Sequence, residues 1–363
     1  MNREDYVSYL MSEVAEYNSR VSNHVLKLFK ADANIDIIDD EQLSIENYDG
    51  IDITKENTLH NKIHKILSKS DRAIEIFESW EFNKDYKYSS VFESDKFDEL
   101  CEAIKNKSEN ITCEQDSLYE FLSKDIIPVI RIEENKIVLK FNFKTDSFNY
   151  SNGSEELIKH TVLVVIHQTE KLIEIRFDTI YSPYSRNNNH YFDLIEFIKH
   201  YISREYSVDI IPLSLEHIKT DLSNEDSDII KITCQEMELI NGGRAKLDAG
   251  KNENYMIPII GDLKVIISEH QSELEKAPAL KAALEEFIYE NEEMSDYTSI
   301  VITWINQIKT RNISIKIVFK YKNSDYNLIQ HYSNTLIGTE RMDHVISYIG
   351  EHKHPTEQQD STS

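Results

Sequence analysis

The sequence predicts an α+β protein, and three patterns predict it. Residues 160–180 form the longest β-rich stretch, residues 1–124 read as mainly helical, and a second hairpin, 298–305 with 312–321, follows helical sequence near the C-terminus.

The stretch 160–180 reads HTVLVVIHQTEKLIEIRFDTI. Positions 161–166 are apolar or β-branched throughout, as in a strand covered on both faces. A polar break at 168–171 suits a hairpin loop. Beyond it Ile173, Ile175 and Phe177 alternate with Glu174, Arg176 and Asp178. Upstream, 126–132 and 136–144 read as two more strands about a turn at 133–135. There Ile137, Leu139, Phe141 and Phe143 point to the core, and Lys136, Lys140 and Lys144 point outward. The four strands make an antiparallel meander, and the wide apolar face of a helix at 191–204 packs on it.

With 363 residues the chain is long for one core. The expected divisions are a mainly helical region 1–124, a central antiparallel α+β domain 125–222, a smaller C-terminal α+β domain 228–350 and a disordered tail 351–363. The charge of −25 disfavours non-specific contact with nucleic acid or anionic membrane and favours basic partners. Residues 1–9 are polar and acidic, so no signal peptide is expected, and no apolar run is long enough to span a bilayer. Cys101, Cys113 and Cys234 form neither a disulfide framework nor a zinc pattern, which points to the cytoplasm.

Taken in order, 6–30 reads as one long helix. Leu10, Val14, Tyr17, Val21, His24 and Leu28 recur three and four apart on it, either as a seam for a protein partner or second copy, or as an ordinary helix lying on its own domain. The tract 31–56 is acidic and reads as a solvated connector or docking segment. Helices follow at 58–124, with Ser70 and Ser94 as N-caps. His60 and His64 stand four apart, but no Glu follows His60, so the zinc protease pattern is absent and no metal site is expected. After the central domain, 208–213 and 229–240 read as strands, and 256–267 as strand or helix. Helical sequence at 272–293 is broken at Pro278, and a last helix spans 339–349.

Several weaker signals carry chemistry. Arg311, Lys316, Lys320 and Lys322 fall within the second hairpin, and three of these lysines are expected on one strand face, able to meet phosphates or to guard an exposed strand. The glycine-containing loop 241–251 brings Arg244, Lys246 and Lys251, suited to an anion or to a plain turn. Asp248 with Asp262 and Lys264 resembles in outline the acid and acid-x-Lys set of Mg²⁺-dependent restriction-type nucleases, although such triplets arise by chance in so charged a chain. Glu174, Arg176 and Asp178, with His167 across the hairpin, read as a cross-strand salt network.

The function expected is a non-catalytic cytosolic subunit that works through protein contacts, with the lysine face as a nucleic-acid surface and no cofactor. The rival is the nuclease, which alone would need Mg²⁺.

Overall fold

The computed structural model describes residues 2–39, 50–109, 127–149, 154–179, 189–218, 222, 229–238, 244–248, 258–292, 296–308, 311–332 and 338–353. The chain is α+β, as expected, and divides into two compact units: Met1–Ile211 with Ser333–Glu351, and Pro212–Tyr332 with His352–Ser363. The helical N-terminal region and the central sheet therefore share one unit. The last helix, Glu340–Glu351, joins them instead of the C-terminal domain.

The first unit opens with α1 (Arg3–Val14) and α2 (Ser19–Ala31), where one helix was expected. The break is written in Asn18, whose side chain accepts from the N–H groups of Arg20 and Val21 at 3.0 and 3.1 Å and so starts a new helix. The two-residue strands β1 (Ile37–Ile38) and β2 (Ile51–Asp52) pair in parallel, and α3 (Leu59–Lys69) and α4 (Asp71–Glu81) follow. Ser70 caps α4 as read. Leu10 and Val14 are buried in a core with Phe29, Ile63, Ile66, Leu67, Ile74 and Phe77, and Tyr17, Val21 and Leu28 pack against it. This corrects the reading of that stripe as an oligomer seam: its apolar groups are already covered by the chain itself. Of the described acids of the 31–56 tract, Asp32 pairs with Arg72, Asp39 with Lys30 and Lys62, and Glu56 with Lys65.

The sheet of this unit holds β3 (Tyr88–Glu93), β4 (Val129–Ile132), β5 (Lys136–Asn149), β6 (Ser154–His167) and β7 (Leu172–Phe177). The expected meander β4-β5-β6-β7 is present and fully antiparallel. Within the stretch read as helical, β3 instead pairs with β7, Tyr88 opposite Phe177 through Phe92 opposite Ile173. Helix α5 (Phe97–Glu109) begins two residues later than read.

Both faces of this sheet are covered. On one, α6 (His190–Tyr206) sets Tyr201 edge-on to Phe141 and Phe197 edge-on to Phe143, with ring centroids 5.0 and 5.2 Å apart. The other lies under α1, α4 and Glu340–Glu351; there Met342 packs on Val138, Leu163 and Val165. This second face was read as outward, yet Lys140 is only 1% exposed.

Ile211–Pro212 is a two-residue strand, β8, in place of the longer one expected. In the second unit β9 (Ile230–Glu238), β10 (Arg244–Asp248), β11 (Asp296–Ile308), β12 (Arg311–Val318) and β13 (Leu328–His331) form an antiparallel sheet in the order β10-β9-β11-β12-β13. Ile300, Ile302, Trp304, Ile313, Ile315 and Ile317 are buried along its middle strands. Helices Pro258–Glu269, Gln271–Leu274 and Pro278–Glu292 complete the described part. Pro278 opens the last of these, at the position where its missing N–H has no partner to lose.

Candidate functional site

Charged side chains gather in two places. The first is the layer between α1, α4 and the sheet of the first unit. Lys159 Nζ donates to Glu13 Oε2 at 3.0 Å and to the Glu81 carboxylate. Lys140 Nζ donates to Glu81 Oε2 at 2.9 Å and to the Glu78 carboxylate, and Lys84 joins Glu13 to Asp178, the latter at 2.8 Å. Tyr6 donates its hydroxyl proton to Glu78, and Thr161 donates to Glu13 at 2.9 Å. Burial works to raise the Glu13 and Glu78 carboxyls. The lysines beside them outweigh it, holding Glu13 well below the usual range and Glu78 at about 2. Every acid in this layer except Asp178 is buried, so it orients helices on the sheet and offers no surface to a substrate.

On the same face Glu174 Oε2 accepts from Arg176 Nε at 2.7 Å and lies 3.0 Å from His167 Nε2. Arg176 also reaches Asp343 Oδ1 and Lys136 reaches Asp343 Oδ2, both at 2.7 Å. The salt network read along this hairpin is thus present, and it fastens the last helix of the unit; Asp178 turns instead to Lys84.

The second gathering lies on the sheet of the second unit, beside an open pocket. Register places Lys246 opposite Glu236, Glu236 opposite Ser299 and Ser299 opposite Val318, so these residues share one face. An irregularity between Tyr297 and Ser299 leaves Thr298 over as an extra residue beside them. They surround an open pocket of about 470 Å³ lined also by Arg244, Lys316 and Met237. Glu236 accepts from Ser299 Oγ at 2.8 Å and from Lys316 Nζ at 3.0 Å, and these hydrogen bonds lower its pKa. Arg244 and Lys246 are exposed and have no ion-pair partner among the described residues.

The lysine face expected on β12 does not form as read. The strand ends at Val318, and Lys320 and Lys322 sit in the following turn with φ of +45° and +53°, which reverses the chain. Lys320 Nζ is 3.1 Å from Glu216. Arg311 opens β12 and its side chain is not described; Lys251 lies outside the described residues. Of the nuclease set, Asp248 ends β10, while Asp262 and Lys264 lie inside helix Pro258–Glu269, where a strand end is needed; positions two apart on a helix do not face each other, and the three side chains are not described. His60 and His64 lie on α3, and no group of three or more metal-ligating side chains occurs among the described residues. No helix among them is long and apolar enough to cross a membrane.

One feature escaped the sequence reading. Val265 and Ile266 on helix Pro258–Glu269, and Leu280 and Phe287 on Pro278–Glu292, are 48–56% exposed. The signal was there: both helices carry apolar residues over more than the single stripe that one buried face requires. No family model matches the chain, and a search of curated proteins finds no match.

Proposed function

We propose that this chain is a non-catalytic cytosolic subunit that docks a basic protein partner on the helices of its second unit. The observation that carries the reading is the exposure of Val265, Ile266, Leu280 and Phe287 on helices Pro258–Glu269 and Pro278–Glu292. Large exposed apolar side chains favour association with another protein. Glu269, Glu273, Glu275, Glu285 and Glu286 are exposed on the same segment, so the partner that fits carries lysine or arginine around an apolar stripe. A second copy would bring the same carboxylates against these. The free, buried Cys101 thiol agrees with a reducing compartment.

The test is a titration of the full chain with two amphipathic helical peptides, one of leucine and lysine and one of leucine and glutamate. Saturable binding of the lysine peptide only, lost in the Val265→Asp/Leu280→Asp variant, supports the reading. Equal binding of both peptides, no binding, or a wild-type dimer that this variant dissociates overturns it.

A further inference from the structure

We propose that the exposed sheet face of the second unit is a binding site for a small phosphorylated molecule, held by Arg244 and Lys246. The two cations stand two apart on β10, so their side chains leave the same face roughly 7 Å apart along the strand, a span that two oxygens of one ligand can bridge. Both are exposed, and neither has an ion-pair partner among the described residues. In a chain of charge −25, two exposed cations side by side mark a place that favours an anion.

The carboxylate in the pocket attracts Lys246 across the strands but makes no ion pair with it or with Arg244 among the described residues. Glu236 is already engaged by Lys316 at 3.0 Å and by the Ser299 hydroxyl at 2.8 Å, which leaves Arg244 and Lys246 to the ligand. Arginine supplies a planar fork matched to phosphate oxygens, and lysine adds a point charge. Val318 lines the same pocket on the same face and offers apolar contact to the remainder of the molecule. At about 470 Å³ the space exceeds what bare phosphate fills and falls within the range of small-molecule sites, roughly 300–1,000 Å³.

A nucleic-acid strand fits less well. It needs a continuing track of cations, whereas Lys316 and Lys320 are paired with Glu236 and Glu216. Cations on a terminal strand also guard against edge pairing, but a guard has no ligand to saturate it. This proposal is independent of the helical docking surface.

Calorimetric titration of the full chain with adenosine monophosphate, adenosine, inorganic phosphate and oligothymidylate tests it. The expected result is saturable binding of the monophosphate, weaker binding of phosphate and none of adenosine. Arg244→Ala/Lys246→Ala should weaken the monophosphate by about tenfold or more, as loss of charge-assisted hydrogen bonds implies. Glu236→Gln, which releases Lys316 to the pocket, should tighten it. The double variant changes exposed side chains only, and its circular dichroism should match wild type. No saturation by either phosphate-bearing probe, equal affinity for adenosine and its monophosphate, or unchanged affinity in the double variant overturns the proposal. So does oligothymidylate binding tighter than the monophosphate with a steep salt dependence.

Discussion

Lys159 on β6 donates to Glu13 on α1 at 3.0 Å, and their side chains are 0% and 9% exposed. The strand and the helix are thus joined by charges that water does not reach. Removing one partner strands the other, and an unpaired buried charge is far more harmful than a missing pair. Lys159→Met should therefore lower stability by about 3–5 kcal/mol in urea unfolding. Adding Glu81→Gln, which removes one of the carboxylates left behind, should restore part of that loss. A neutral effect of Lys159→Met would show that the layer is not held by ion pairs.

Asp343 fastens the last helix to the sheet through Arg176 and Lys136. Burial raises its carboxyl, but Arg176 and the hydrogen bonds from Arg176 and Lys136 outweigh that and hold it below the ordinary value. A carboxyl with a lowered folded pKa stabilises the protein above the unfolded value of about 3.8, and that contribution fades as pH falls through the folded pKa. Asp343→Asn should destabilise the chain at pH 7 by roughly 1–3 kcal/mol, and the gap from wild type should close on acidification below pH 4. A gap independent of pH would mean that the loss comes from packing.

The meander was legible because β5, β6 and β7 alternate or run apolar over long stretches, and that pattern is set by the pleat alone. Which side of the sheet is wet was not legible. Lys140 and Glu174 read as outward by their charge, and the groups that make burial of Lys140 and of the Glu174–Arg176 pair affordable, the α4 carboxylates and Asp343, come from distant parts of the sequence. The stripe Leu10 to Leu28 kept its period across the break at Asn18 because both helices dip into one core, so periodicity could not reveal two helices. At the candidate pocket Arg244, Lys246 and Lys316 were all singled out by charge, but Glu236, Ser299 and Thr298 enter through strand register.

If the stripe belongs to the core, shortening it should unfold the chain and leave its mass alone. Leu10 is 0% exposed, and Leu10→Ala should lower stability by about 2–5 kcal/mol. Analytical ultracentrifugation of folded wild type and variant should give the same mass. A drop from dimer to monomer at unchanged stability would restore the seam.

The last prediction concerns acid. His160 on β6 is buried, its Nε2 has no hydrogen-bond partner among the described residues, and its ring stands 5.4 Å from that of His190, whose Nε2 likewise has none among them. Burial, reinforced by His190, pushes the His160 imidazole down to about 3, and burial lowers His190 as well. The unfolded chain takes up a proton near pH 6.5 and the folded one does not until about pH 3. Between those values the unfolded state binds more protons, so stability falls as pH falls, by at most about 1.4 kcal/mol per pH unit for this one group. His160→Phe keeps an aromatic ring without a titrating nitrogen and should flatten the stability curve between pH 6.5 and 5 relative to wild type. Urea midpoints measured across that window decide it: equal slopes for wild type and variant would show that His160 is protonated in the folded protein, against the geometry of its site.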